Sequence, residues 1–120
     1  MLDVGCGAGF HLLEIASAFP NSKYTGVDLS VKAIEQAKKA LEQRTLKSSP
    51  ISGKTEFLAA NGIALPANWS ARFDVILNFD AFHDQHRPDL VCLGKQNIGL
   101  KMEFLRIHSF FSAWMKCIVV

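Results

Sequence analysis

Residues 1–10 read MLDVGCGAGF, and the fold turns on this stretch. Leu2, Asp3 and Val4 read as the end of a β-strand that runs straight into a loop in which Gly5, Gly7 and Gly9 alternate with other residues. Glycine permits positive φ and lets a ligand approach the main chain with no Cβ in the way. From Phe10 onward, Leu12, Leu13, Ala16 and Phe19 recur at helical spacing until Pro20 and Asn21 close the pattern. A helix that begins on such a loop points its free N–H groups back at it, which suits a carboxylate or a phosphate. A tight turn with packing glycines would account for a single GxG. Three alternating glycines led by an acid ask for more.

Outward from this loop, the pattern repeats. Residues 23–28, KYTGVD, are short, β-prone and mostly apolar, and read as a second strand. Ser30 can cap the next helix, Val31 to Leu46, whose apolar stripe is Val31, Ile34, Ala37 and Leu41. The opposite side carries Lys32, Glu35, Lys39 and Glu42, a solvated helix face with Glu35 and Lys39 favourably ordered. A polar connection leads to a third strand at 55–60, and Asn61-Gly62 is a turn pair. Residues 73–79, FDVILNF, form an apolar run expected of a strand covered on both faces. Strands alternating with helices predict an α/β fold with a parallel sheet. Such sheets bind ligands beyond the carboxyl ends of their strands.

The composition allows one domain and excludes several function classes. The chain has 120 residues, of which 49% are hydrophobic and 20% charged, an ordinary globular balance. A formal net charge of +2 gives no sign of a nucleic-acid partner or a membrane surface. Its distribution is uneven: residues 1–89 carry net −1 and residues 90–120 net +3. Cys6, Cys92 and Cys117 are widely spaced with no CxxC pair, which fits a reducing compartment and neither a disulfide framework nor a zinc site. No basic region followed by an apolar core opens the chain, and charges interrupt the apolar stretch 99–120. The expectation is a cytoplasmic protein.

A second acid gives the glycine loop its meaning. Asp28 ends the second strand, and one carboxylate can accept from both cis hydroxyls of a ribose; the plainer reading is a helix-capping Asp before Ser30. The pair of loop and acid predicts a nucleoside cofactor. Dinucleotide loops run GxGxxG, with the third glycine where this chain has Phe10, and an acid at Asp3 would repel a pyrophosphate. An acid there suits an ammonium group. With these residues in hand, LDVGCGAG followed by GVDLS resembles the first two motifs of the class I S-adenosylmethionine-dependent methyltransferases. The resemblance implies a Rossmann-like, doubly wound parallel sheet with S-adenosylmethionine as cofactor. It implies that Gly5, Cys6, Gly7 and Gly9 pass beneath the methionine part, that Asp3 faces the amino group, and that Asp28 holds the ribose. It also implies that Leu29 lies against the adenine. FLAANGIALP resembles the stretch after the third strand, where the family commonly has an Asp that accepts from the adenine amino group. Here Asn61, followed by Gly62, stands in its place, and an ordinary turn is the competing reading.

The segment Asn78-Phe79-Asp80-Ala81-Phe82-His83-Asp84-Gln85 resembles a signature found in small-molecule-type members. It implies Asn78 beside the cofactor and His83 as the candidate base, with pocket wall or capping as the alternative for both. Asp80, His83, Asp84 and His86 are too loosely spaced for a recognised metal site. The resemblance covers residues 1–94 and lapses at 95–120, an apolar, basic tail that either pairs with the fourth strand or folds as a helix. The sequence thus predicts an incomplete domain of about four strands, shortened at both ends. Its expected activity is methyl transfer to a small-molecule acceptor, with no nucleic-acid or membrane partner. A non-catalytic remnant that keeps the cofactor half-site, and a fragment of an NAD-binding oxidoreductase, are the alternatives.

Overall fold

A computed structural model of the chain describes residues 1–46, 54–62, 64–69, 72–79, 103–107 and 115–119. Strand β1 spans Leu2–Val4, helix α1 Phe10–Ala18, β2 Tyr24–Asp28, α2 Val31–Leu46, β3 Thr55–Ala59 and β4 Val75–Phe79. A short 3₁₀ turn occupies Ala67–Trp69, and strands β5 and β6 span Glu103–Ile107 and Met115–Val119. The strand order is β3-β2-β1-β4-β6-β5. The first four strands are parallel, as the alternation of strands and helices predicts.

Residues 95–120, for which the sequence leaves pairing and helix open, contribute two strands. β6 lies antiparallel against β4, with Ile76 opposite Ile118, and β5 lies antiparallel against β6. The sheet is therefore mixed: its first four strands keep the expected parallel arrangement, and the tail adds an antiparallel pair. Backbone satisfaction is the physical reason: the apolar strand β4 has a free edge, and a partner strand of either direction fills its ladder. Smaller corrections fall at element ends. Helix α1 stops at Ala18, with Phe19 N–H donating to Ile15 O at 2.9 Å as its cap, and β4 begins at Val75 after the buried Phe73.

Strand alternation sorts the side chains into two cores. Leu2, Val4, Val27 and Ile76 share one face with Trp69 and Phe73. Tyr24 and Phe57 share the other with Leu12, Leu13 and Ala16 of α1 and Ile34 and Ala37 of α2. Asp3 stands in register with Gly26 and Leu77, so it belongs to the helix-covered face. Polar ties close each side. On the helix face, the Arg44 guanidinium of α2 donates to Leu13 O at 3.3 Å and Ser17 Oγ at 3.1 Å and pairs with Glu14, all on α1. Across the sheet edge, Glu56 accepts from Thr25 Oγ1 at 2.8 Å and from Arg72 at 2.9 Å. Arg72 also lies 5.0 Å from the Trp69 ring centroid, which ties Trp69 and Arg72 to the β2–β3 edge.

Burial outweighs these ion pairs. Replacing Leu12, fully buried in the helix-side core, with Ala is expected to cost about 2–5 kcal/mol. Replacing the part-exposed Arg44 with Ala is expected to cost about 1 kcal/mol or less for its pair with Glu14. Urea unfolding of the two variants measures both losses, and a larger loss at Arg44 would reverse this ranking.

Candidate cofactor site

The site lies where the carboxyl ends of β1, β2 and β3 meet. The chain leaves β1 at Gly5 and enters α1 at Gly9, and the loop between is built on positive φ: 79° at Gly5, 54° at Gly7 and 78° at Gly9. L-residues reach that region only at a cost, so the alternating glycines are a backbone requirement. Gly5 and Cys6 both donate their N–H to Val27 O, at 2.8 and 3.0 Å, which anchors the loop on β2. Gly9 N–H donates to Cys6 O at 2.9 Å and closes the turn.

Asp28 joins three elements. Its Oδ2 accepts from Gly7 N–H at 2.9 Å, and its Oδ1 accepts from Ser30 N–H at 2.8 Å. Ser30 Oγ in turn accepts from Ala33 N–H at 3.2 Å and caps α2. Asp28 thus braces the turn into α2 while Ser30 itself caps the helix, and the ligand reading rests on the acceptor capacity left over. Each carboxylate oxygen has a second lone pair, so these bonds leave acceptor capacity for hydroxyl donors.

The other expected residues fall around this centre. Asp3 is buried on β1, and both Asp3 and Asp28 act electrostatically on the half-buried thiol of Cys6. Burial, reinforced by those two carboxylates, pushes the Cys6 thiol up to about 12. Leu29 is 63% exposed, an apolar side chain held at the rim beside Asp28. Asn61 and Gly62 follow β3: Ala60 N–H donates to Asp28 O at 3.0 Å, and Ala64 N–H donates to Asn61 O at 3.0 Å in a turn. A Cβ on Gly62 would lie 2.5 Å from Val4 Cγ1, so that turn packs onto the end of β1. Asn78 is buried on β4, one residue beyond the Asp3–Leu77 step, which puts it on the sheet face opposite Asp3. Its Oδ1 finds no hydrogen-bond partner among the described residues. The structure thus brings Asp3, Gly5, Cys6, Gly7, Gly9 and Asp28 together and sets Asn61 and Gly62 against them. His83, and the acids and histidine around it weighed for metal, lie outside the described residues. No group of three or more His, Cys, Asp or Glu able to hold a metal occurs among the described residues, and no helix there is long and apolar enough to cross a membrane.

Sequence reasoning passes over one residue of this region. Phe57 of β3 is 2% exposed and stands level with Gly26 of β2. A Cβ on Gly9 would lie 2.6 Å from Phe57 Cζ, and one on Gly26 would lie 2.6 Å from Phe57 Cδ1. Gly26 itself was the available signal, since a glycine inside a buried strand marks close approach of another group.

Two measurements test this geometry. A Cβ on Gly7 would meet nothing within 4 Å, whereas one on Gly9 would meet Phe57 and Ala37. Gly7→Ala is therefore expected to cost about 1–2 kcal/mol of backbone strain, and Gly9→Ala to cost clearly more, as read by chemical denaturation. In a background with Cys92→Ser and Cys117→Ser, alkylation of Cys6 at pH 8 is expected to run on the order of a thousandfold slower than that of a free thiol. Asp28→Asn should speed it. Because the folded thiol is raised from 9.0 to about 12, its stabilising contribution is present below pH 9 and is lost as pH climbs toward 12.

Comparison with known proteins agrees with this arrangement. The family model described as a methyltransferase domain matches residues 1–113. Ribosomal RNA small subunit methyltransferase C of Salmonella choleraesuis (strain SC-B67) is 34% identical over 90 residues, which are 75% of this chain and 23% of that enzyme. A malonyl-acyl-carrier-protein O-methyltransferase of Legionella pneumophila subsp. pneumophila is 46% identical over 39 residues, 32% of this chain and 14% of that one. The chain thus spans less than a quarter of the length of either relative. Among solved structures, the cyclase SpnF shares the fold with a TM-score of 0.70 at 24% identity, over 81% of this chain and 33% of that one. Oxidoreductase membership gains no support from these matches. S-adenosylmethionine is the cofactor that a methyltransferase domain implies, and the residues fit it: open space over Gly7, a carboxylate with acceptor capacity at Asp28, and a second acid at Asp3. Motif, strand order and family match coincide, and the chain belongs to the methyltransferase domain family.

Proposed function

We propose that this chain provides the S-adenosylmethionine site of a methyltransferase whose acceptor is a small molecule. The observation that carries the reading is the Asp28 carboxylate, which faces the glycine loop and accepts from Gly7 N–H at 2.9 Å. Held there, it is positioned to accept from the two ribose hydroxyls, while Asp3 offers its charge to the ammonium group. The cofactor, when bound, supplies a methyl group on a sulfonium that carries its own leaving group. The chain's residues then have to orient the donor, keep the main chain close through Gly7, and take a proton where the acceptor must lose one. His83 is the residue assigned to that proton, on the strength of its signature alone.

Two considerations bear on the acceptor. Relatives named for ribosomal RNA and for a malonyl-carrier protein both match this chain, which fits a shared donor half and acceptor choice made elsewhere. The net charge of −1 over residues 1–89 fits an acceptor that is not a polyanion. A second reading, a half-site that binds cofactor without turnover, draws on β6, which lies antiparallel at the edge of β4 in the segment where the resemblance lapses.

Calorimetric titration with S-adenosylhomocysteine and with NAD tests the proposal. The first is expected to bind and the second not, and Asp28→Ala is expected to weaken binding at least tenfold, the scale of a lost hydrogen bond to a charged group of about 1.5–3 kcal/mol. Absence of heat with S-adenosylhomocysteine would refute the cofactor site. Release of S-adenosylhomocysteine from S-adenosylmethionine across a panel of small-molecule acceptors separates the catalytic reading from the half-site.

A further inference from the structure

We infer that Phe57 is a positioning residue for the cofactor loop: its ring, seated between Gly9 and Gly26, holds residues 5–9 in the conformation that admits S-adenosylmethionine. The inference rests on the reading of that loop as the cofactor site. Three tethers hold the loop from β2: the N–H groups of Gly5 and Cys6 on Val27 O, and Gly7 N–H on Asp28 Oδ2. Phe57 supplies a wall of a different kind. It reaches across β2 from β3, over the one position in that strand where no side chain intervenes, and its ring comes against the Gly9 cap of α1.

The glycine at 26 shows that this contact is specific. Gly5, Gly7 and Gly9 are the described glycines with positive φ, and Gly26 is not among them. Its backbone would accept any L-residue. A Cβ there would lie 2.6 Å from the Phe57 ring and 2.9 Å from Cys6 Sγ, so the missing side chain is explained by the groups that occupy its place. A loop with three glycines has more conformations to lose than any other of its length. Remove the ring and the binding-competent fraction falls, and apparent affinity falls by the same factor.

The experiment compares S-adenosylhomocysteine binding in the full chain and in variants, each measured well below its melting temperature. Phe57→Ala is expected to weaken binding at least tenfold and Phe57→Leu about threefold. Tyr24→Ala removes an equally buried ring from the same core, at the other end of β2 where its hydroxyl donates to Phe19 O. It is expected to lower the melting temperature comparably and to leave affinity within threefold. Gly26→Ala alone is expected to weaken binding about tenfold, and in the Phe57→Leu background to add less than threefold. Phe57 variants that bind as tightly as the wild type, a Tyr24→Ala loss as large as theirs, or independent losses at 26 and 57 would each overturn the inference. Should Phe57→Ala not fold, Phe57→Leu decides by the same comparison with Tyr24→Ala. A wild-type chain that binds no S-adenosylhomocysteine would instead overturn the cofactor reading beneath it.

Discussion

The Asp28 carboxylate is the constraint on which the end of the sheet depends. One oxygen takes the N–H of Gly7 and the other the N–H of Ser30, so a single side chain fixes the cofactor loop and the entry to α2 relative to β2. Hydrogen bonds to an ionised acceptor are each worth about 1.5–3 kcal/mol, more than an exposed ion pair returns. The fold itself thereby supplies bonds that order the loop. That matters for binding, because flexibility surrendered on folding does not weigh again against affinity.

The scaffold behind Asp28 divides its labour between faces. The helix side carries Phe57, Tyr24 and the apolar stripes of α1 and α2, and it also carries Asp3. The far side is sealed by Trp69 and Phe73, with Gly62 packed on Val4. An acid as buried as Asp3 is expensive to hold in an apolar layer unless polar groups or a cation meet it. Its place in β1 two residues before the first glycine puts it near the boundary between core and site, where both can be supplied.

Much of this was legible from the chain because the signals are local. Strand, glycine turn and helix are written within residues 2–18, and the cap at Ser30 is written by its position before Val31. The two acids were legible because Asp3 stands just ahead of the glycines and Asp28 ends the second strand. What depends on register between distant segments was not. The pairing of Gly26 with Phe57 decides what the ring touches, and neither residue announces the other. The same limit applies to Asn78: the resemblance puts it beside the cofactor, but only alignment of β4 with β1 shows it on the face opposite Asp3. The direction of β6 is a third case, since alternation of residue types marks a strand without naming its neighbour.

Register also governs how this protein comes into being. Strand β1 occupies the middle of the sheet, paired on one side with residues 25–27 and on the other with residues 76–77. The first partner leaves the ribosome soon after β1, and the second emerges only after β3 and the 3₁₀ turn have been made. During synthesis the innermost strand therefore has one open edge while the glycine loop, β2 and α2 are already available to assemble. The cofactor loop can be shaped before the sheet that supports it is closed, and a strand buried in the finished core waits with one edge open until residues 76–77 emerge.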